Sequence, residues 1–462
     1  MLASLLLLLL PPALPVAQEP IERDPTGRAV IYRFDTVETL DGAALQNVSV
    51  LVRDGVIERM GPAVVIPANA EIHDYRGTGK MAMPPFVLTH ADFLIGDRRG
   101  NGGNGRFLAV DSMWLPENWS QDLLEEGVLL VGVDPPGSGL PGRSSVLLAD
   151  GQVGVPNPLV ADLHLKVMVP TGSSGKRLVR DGLKAADEAI EKEAKAKADW
   201  EKARADWEAA QKKKAEEAEA AKKADPAKKV GTNGDKAAAG ENGEQKGDAK
   251  GKDQGEEEPP KEFVAPKLDP NIEPLVDWVR KERVAQIWLD SASDWLHWQD
   301  LLGERELPYE LVLRHGSGQN FHEVVEQIAA TGFRVDVIAD ISFLPYTRTR
   351  ANLPAELVAA GVKQLVLSPT SENLSGVRSY RMAVALVVAE GLDRAIALRA
   401  MTLEPAASLG QEERITALAV GAPATFVVWS GDPLDPMSEA LLVLSEGEVL
   451  YDRVKAEKEE QR

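Results

Sequence analysis

Residues 83–92 read M-P-P-F-V-L-T-H-A-D, and this stretch sets the organisation that we predict for the chain. Its apolar residues 86–88 predict a short buried strand that ends near Thr89. Because side chains alternate along an extended backbone, His90 and Asp92 should lie on the same side of it. Imidazole and carboxylate groups both bind divalent cations. The stretch therefore predicts a functional pair at the carboxyl end of a first barrel strand.

Length, charge and cysteine content narrow the classes of protein. The chain has 462 residues, a formal net charge of -20 and no cysteine. This length suits one large α/β domain with a smaller partner, or two domains. The negative charge argues against nucleic acid or anionic lipid as a partner. The lack of cysteine excludes disulfides, thiolate metal sites and cysteine nucleophiles.

The first residues have the pattern of a secretory signal. An unbroken leucine run at 5–10 is followed by Pro11, Pro12 and Pro15. The run is too short to span a bilayer as a mature helix, and it fits the apolar core of a signal peptide over residues 1–17. We predict a secreted or periplasmic protein without a membrane span. The alternative is an apolar N-terminal tail.

Both ends of the remaining chain predict short strands. Between residues 29 and 74, alternating segments are separated by turns, and Asp54-Gly55 between apolar pairs is a strong hairpin signal. Residues 424–451 again show short strands with turn signals. We expect this tail to pair with the N-terminal sheet.

Between the two ends, apolar segments alternate with helix-compatible sequence. Counted from residue 86, they give eight predicted strands, at 86–88, 128–133, 146–148, 163–169, 285–290, 311–315, 335–340 and 364–368. This is the pattern of a (β/α)8 TIM barrel. In the fourth strand, His164 and Lys166 lie at alternating positions, and either could point into the barrel mouth, although we expect one of them to face solvent.

The middle of the chain differs in composition. Residues 182–224 are dominated by Ala, Lys and Glu and predict a long charged helix, on which Trp200 and Trp207 share a face. We expect these rings to pack on the main body, with a coiled-coil partner as the alternative. Residues 225–261 have almost no apolar side chains and predict a disordered segment.

Four stretches resemble motifs of the amidohydrolase superfamily, and most closely its imidazolonepropionase-type branch. They are residues 83–92 (like PG-apolar-ID-x-H-x-H), 126–128 with 134–143 (like GVTTV…PG…GG), 401–410 (like ATxNPAxxLG) and 420–434 (like xPGKDADLVVxxGDPL). The resemblance implies a barrel from residues 81–181 and 266–411. It also implies a composite β-sandwich from residues 27–80 and 412–455, with the charged insertion at 182–265.

The resemblance also implies a metal site that has changed. Carried over by position, His90 and His315 match two metal-binding histidines, whereas Asp92 and Asp290 stand where the family has histidine. Thr370 stands in place of the family's proton-transferring aspartate. A neutral hydroxyl cannot act as that base, so Asp340 is a substitute candidate. The residues predicted to hold a divalent metal, zinc or similar, if any is bound, are His90, Asp92, Asp290 and His315.

Three functions follow from these residues. The first is a protein that has kept the architecture but lost most or all hydrolysis, and that binds a small molecule, a second copy of itself or an active homologue. The second is an active hydrolase of amide or cyclic-amide C–N bonds with a rebuilt single-metal site. The third is a structural role for an exported protein, in which the charged insertion is the working part.

Overall fold

The computed structural model describes residues 28–96, 105–169, 173–223, 262–314, 320–344 and 346–460. The strands are β1 (Val30–Val37), β2 (Leu45–Arg53), β3 (Val56–Gly61), β4 (Glu71–Asp74), β5 (Met81–Met83), β6 (Phe86–Leu88), β7 (Val128–Val133), β8 (Gly139–Arg143), β9 (Ser145–Leu148), β10 (Leu165–Met168), β11 (Ala285–Leu289), β12 (Tyr309–Leu313), β13 (Val335–Ile338), β14 (Ser342–Phe343), β15 (Arg350–Ala351), β16 (Leu365–Ser368), β17 (Phe426–Trp429), β18 (Ala440–Ser445) and β19 (Glu448–Asp452). The helices are α1 (Trp119–Leu124), α2 (Ser173–Lys223), α3 (Glu273–Val279), α4 (Ala292–Leu302), α5 (Val325–Ala330), α6 (Leu353–Ala359), α7 (Leu374–Ala389), α8 (Arg394–Met401), α9 (Leu403–Ser408) and α10 (Arg453–Glu460).

The two chain ends form one sheet, as predicted. Its order is β19-β18-β17-β5-β1-β2-β3, and β4 also pairs with β1. The ends meet where β17 runs antiparallel to β5, with Val427 opposite Met83. The predicted hairpin joins β2 to β3, and Asp54 and Gly55 have φ values of 50° and 77°. Positive φ at both central residues is what a type I′ turn requires.

The central strands form two further sheets. One has the order β16-β13-β12-β11-β10-β8 and the other β6-β7-β9. The pairings from β10 through β11, β12 and β13 to β16 are all parallel, and so is that of β6 with β7. All eight predicted strands are present. Parallel strands whose side chains are buried throughout, as in β11 and β12, have helices on their outer side.

The third predicted strand departs from the expected alternation. β9 runs antiparallel to β7, and β8 runs antiparallel to β10. Residues 134–144 connect β7 to β9 and contain β8 but no helix. A parallel β7–β9 pair would need a longer crossover, usually a helix, so the two strands pair antiparallel. The βα repeat therefore does not extend through this part of the chain.

The two central sheets meet at β6 and β16 through other contacts. Thr89 Oγ1 lies 3.3 Å from Ser368 Oγ, and the Asp92 N–H donates to the Glu372 carbonyl at 2.9 Å. Among the described strand pairings, no ladder joins β6 to β16. The described backbone hydrogen bonds thus form two sheets rather than one continuous ring.

The long charged helix is present and begins earlier than predicted, since α2 has 51 residues from Ser173 to Lys223. Ion pairs attach its first half to the body, between Arg305 and Asp187 and between Arg280 and Glu193. Trp200 packs against Phe263, with ring centroids 5.9 Å apart. The segment predicted to be disordered, 225–261, lies outside the described residues. No helix in the described part of the chain is both long and apolar enough to cross a bilayer.

Candidate functional site

His90 lies directly beyond β6 and is held by two carboxylates. Its Nδ1 is 2.6 Å from Asp134 Oδ2, just beyond the end of β7. Its Nε2 is 3.2 Å from Asp336 Oδ2 on β13, which is an ion-pair distance without the alignment of a good hydrogen bond. All three side chains are buried. Both imidazole nitrogens therefore face carboxylate oxygens.

Asp336 is also held by two hydroxyls. Ser368 Oγ on β16 donates to Asp336 Oδ1 at 2.5 Å, and Thr89 Oγ1 donates to Asp336 Oδ2. Thr89 follows β6 in one sheet, whereas Asp336 and Ser368 lie on β13 and β16 in the other, so these contacts join the two sheets. A buried carboxylate needs such donors, because an unpaired charge in the interior is costly.

The electrostatics favour a charged pair. Burial disfavours the imidazolium and lowers the pKa of His90. The negative charges of Asp134 and then Asp336 outweigh the effect of burial and raise this pKa to about 10. Burial also acts against the Asp134 carboxylate, but the charges of His90 and Lys166 hold its pKa below the usual range. An imidazolium carries a proton on each nitrogen and has no lone pair for a metal.

Lys166 on β10 adds a second buried cation. Its Nζ lies 3.8 Å from the centroid of the Trp288 ring on β11, and the same ring meets His90 edge-on at 4.6 Å. Burial lowers the pKa of Lys166. We refer to His90, Lys166, Asp134 and Asp336 as the His90 cluster. It contains two groups of each sign, so its charges balance internally when all four are ionised.

The expectation that His164 or Lys166 would face solvent is wrong. Both are buried, with 5% and 6% of their surface exposed. Residues two apart in a strand share a face, and here that face points into the protein. Burial lowers the pKa of His164.

A cavity of about 260 Å³ lies beside the His90 cluster, at the carboxyl ends of the strands. His90, Asp336 and Ser368 line it, together with Trp288 and Arg314. The segment that leads into α7, from Pro369 to Asn373, also lines it. The remaining lining residues are Asp92, Val312, Leu313 and Ile338.

The structure brings together three of the six predicted site residues. His90, Asp92 and Thr370 line the cavity, and Thr370 is exposed at its rim. Asp290, beyond β11, is exposed to solvent. Neither Asp290 nor Asp340 is among the described lining residues. His315 lies outside the described residues. The roles predicted for these side chains stay predictions.

The donors that the structure describes do not fit a metal ion. In the described part of the chain, no group of three or more histidine, aspartate or glutamate side chains could hold one. His90 is the predicted metal-binding histidine that the structure describes. Each of its ring nitrogens faces a carboxylate oxygen. Because a metal must take an imidazole lone pair, this pairing competes with coordination.

Sequence reasoning missed three residues of the site, namely Asp134, Asp336 and Trp288, whereas Lys166 was already a candidate for the barrel mouth. A signal for two of the three was present. Trp288 and Asp336 each stand inside an apolar strand, where a polar or very large side chain marks a special interior position. Asp134 stands in a Gly/Pro loop and gave no such signal.

Comparisons with known proteins agree with the fold. The structure of an amidohydrolase from Thermotoga maritima MSB8 matches with a TM-score of 0.62 at 20% identity, covering 92% of this chain and 100% of that protein. A β-aspartyl dipeptidase from Fervidobacterium islandicum AW-1, solved with a β-Asp-Leu dipeptide, has a TM-score of 0.46 at 13% identity and coverage of 93% and 97%. A putative prolidase from Bifidobacterium longum has a TM-score of 0.43 at 14% identity and coverage of 94% and 98%.

No protein-family model and no curated protein matches the sequence. The likeness to the Thermotoga maritima structure shows that this chain has an amidohydrolase fold, and the predicted resemblance is confirmed at that level. Fold alone does not define an activity, because one fold supports many chemistries.

Proposed function

We propose that this protein binds a small molecule in the cavity beside the His90 cluster and has little or no metal-dependent hydrolysis. One observation carries the proposal: His90 is paired with Asp134 at 2.6 Å and with Asp336 at 3.2 Å. The cavity is concave and lined mainly by polar and charged side chains, which can bind the polar atoms of a small ligand.

The proton-transfer position supports the same conclusion. Thr370 lines the cavity rim, and a neutral hydroxyl cannot accept a proton from a water and later return it to a leaving group. Asp336, the buried carboxylate that lines the cavity, already accepts from Thr89 and Ser368 and faces His90. Both of its oxygens are therefore already in contact with groups of the protein.

The experiment measures metal content and hydrolysis together. Purified protein is incubated with zinc or manganese, desalted and analysed by elemental mass spectrometry. It is then assayed against dipeptides, hydantoins and lactams. We expect less than one metal per chain and turnover at the background rate. Stoichiometric metal that is lost in His315→Ala but kept in His297→Ala would contradict the proposal. His297 is a matched control because it lies on α4, where it contacts Lys176.

The alternative function is an active hydrolase with a rebuilt single-metal site. The same measurements of metal content and hydrolysis distinguish it from the proposed function. The predicted export and the predicted association with a second copy or an active homologue stay predictions.

A further inference from the structure

A second cavity, of about 480 Å³, lies where the sheet formed by the two chain ends meets helices α1 and α7. We call it the Tyr451 cavity, after the β19 residue that lines it. The segment before β18 and helix α10 also border it. It shares no described lining residue with the cavity beside the His90 cluster. Its volume lies within the range of roughly 300–1,000 Å³ that is typical of small-molecule sites.

Carboxylates outnumber cations among the described residues that line the Tyr451 cavity. The carboxyl and guanidinium groups belong to Glu125, Glu126, Glu439, Glu457, Arg381 and Arg453. When all six groups are charged, two negative charges remain uncompensated. A ligand with two positive charges would balance them, and the chain's formal net charge of -20 would attract such a ligand.

Both arginines already contact carboxylates of the Tyr451 cavity. The Arg453 guanidinium lies 2.9 Å from Glu439 Oε1 and 2.8 Å from Glu457 Oε1. The Arg381 guanidinium lies 3.6 Å from Glu126 Oε2. Each contact involves one carboxylate oxygen, and no hydrogen bond from the described residues reaches the second oxygen of these three glutamates. The second oxygens can therefore accept hydrogen bonds from a ligand.

Tyr451 gives a second and independent reason to expect a ligand. The residue is 7% exposed, and its hydroxyl makes no hydrogen bond with any residue that the structure describes. Unlike Trp429 Nε1, the hydroxyl oxygen is not fully enclosed. The small exposed surface of Tyr451 therefore includes the hydroxyl, at the cavity that the residue lines. An unpaired phenol oxygen in a nearly buried residue offers an acceptor to a ligand N–H.

The charges around this hydroxyl show where it points. Burial and then the negative charge of Glu125 raise the pKa of Tyr451 to about 12. Glu457 and Glu439 act in the same direction, and Arg453 opposes them. All four of these charged groups line the Tyr451 cavity. The hydroxyl therefore faces the cavity, and it stays protonated and neutral at physiological pH.

The arrangement suits an elongated organic cation better than a metal ion. Within the described ranges, no group of three or more histidine, aspartate or glutamate side chains could hold a metal. The carboxylates come from separate elements, since Glu125 follows α1 whereas Glu457 lies on α10. An ammonium group has three N–H donors and no acceptor, which matches a site of acceptor oxygens. Pro436 and Met437 add apolar lining for a methylene chain.

We propose that the Tyr451 cavity binds a small aliphatic diamine, a chain of a few methylene groups with an ammonium group at each end. The ammonium groups donate to the Tyr451 hydroxyl oxygen and to the cavity carboxylates. Their two charges match the two negative charges that the arginines leave uncompensated. The methylene chain lies against Pro436 and Met437. This site is separate from the cavity beside the His90 cluster, so a diamine bound here would not compete with a ligand there.

Titration calorimetry of the full chain with simple probes tests the inference. The diamine is diaminobutane, and the comparison probes are butylamine, butanediol, succinate and magnesium chloride. We expect saturable binding of one diaminobutane per chain. Butylamine, which lacks the second charge, should bind at least about tenfold more weakly. Butanediol, succinate and magnesium should not bind at this site.

Three variants assign the binding to this cavity. Tyr451→Phe removes only the hydroxyl and should weaken diamine binding about fivefold, because one hydrogen bond is lost. Glu125→Gln should weaken it by at least the same factor, because one of the negative charges is lost. Glu448→Gln is the matched control. Glu448 lies on β19 and is exposed, but it is not among the described residues that line the Tyr451 cavity, so its variant should bind diaminobutane as the unaltered chain does.

Spectra of ring-labelled tyrosine give a second readout. The chain has six tyrosines, and the signal that is missing in Tyr451→Phe identifies Tyr451. This signal should shift with diaminobutane and not with butanediol.

Four results would each overturn the inference. They are no saturable binding of diaminobutane, equal binding of butylamine or butanediol, unchanged affinity in Tyr451→Phe, and a loss of affinity in Glu448→Gln as large as in Glu125→Gln. The last result would mean that net charge alone attracts the amine. Metal content and hydrolysis test the cavity beside the His90 cluster, so the proposed function and the diamine site can fail separately.

Discussion

The two ends of the same parallel strands carry polar networks of different kinds. At the carboxyl ends lies the His90 cluster, which borders the cavity. At the amino ends lies a second network, the Glu310 cluster, defined as Glu310, Arg334, Glu404 and Ser408. Glu310 on β12 accepts from Arg334 at 2.6 Å and from Ser408 at 2.5 Å, and Arg334 lies 3.9 Å from Glu404.

The difference lies in which groups can change charge. The cation of the Glu310 cluster is a guanidinium, which stays charged at every accessible pH. The cations of the His90 cluster are an imidazole and an amine, whose charges depend on their surroundings. In (β/α)8 barrels, the residues that carry out the function generally lie at the carboxyl ends of the strands. Residues at the amino ends generally contribute to stability. The chemistry of the two networks follows this division.

We expect the largest change in the free energy of unfolding when the His90 cluster loses its histidine. His90→Leu leaves Asp134 and Asp336 buried without their shared cation. Removing one partner of a buried ion pair costs about 3–5 kcal/mol. We expect a loss of this size in the free energy of unfolding, measured by urea denaturation with tryptophan fluorescence.

Glu310→Gln is the matched control at the other end of the strands. The amide keeps one acceptor oxygen for Arg334 and Ser408, so we expect a smaller loss of about 1–3 kcal/mol. Equal losses for both variants would remove the energetic distinction between the two networks.

The second prediction concerns pH. The pKa of His90 is about 10 in the folded protein and near the ordinary histidine value of 6.5 when unfolded. This stabilisation is complete below about pH 6.5 and is lost as the pH rises through 10. Between pH 7 and 9.5, His90 should lower stability by up to about 1.4 kcal/mol per pH unit. Lys166, whose pKa burial lowers, acts in the opposite direction, so Lys166→Met should steepen the fall.

Carbon-13 spectra of the six histidines report the same property directly. One imidazole should remain protonated at pH 8, and its signal should be absent in His90→Leu. A protein in which every histidine deprotonates near pH 6.5 would contradict the charged His90 and its pairing.

The sequence predicted the strands better than the contacts between them. Within the predicted strands 285–290 and 311–315, residues 287–289 and 311–313 identify buried strands because apolar side chains are continuous there. The antiparallel β9 was missed because a strand's direction depends on its connection rather than on its own composition. Asp336 and Thr89 are 247 positions apart, and no local pattern brings them together. The position of His90 in the motif at residues 83–92 identified it as a site residue. It did not identify Asp134 and Asp336 as the partners of its imidazole.

We expect the smallest change in stability and activity when a carboxylate replaces the Thr370 hydroxyl at the cavity rim. Thr370→Asp places a carboxylate where the resemblance implies the family's aspartate. Because Thr370 is exposed, the change in unfolding free energy should stay within about 0.5 kcal/mol. Hydrolysis should also stay at background, since the base returns while His90 remains paired with Asp134 and Asp336. Dipeptide and hydantoin assays with added zinc measure this, with Thr370→Asn as the neutral control. Zinc-dependent turnover in Thr370→Asp alone would mean that the rim, rather than the His90 cluster, limits catalysis in this fold.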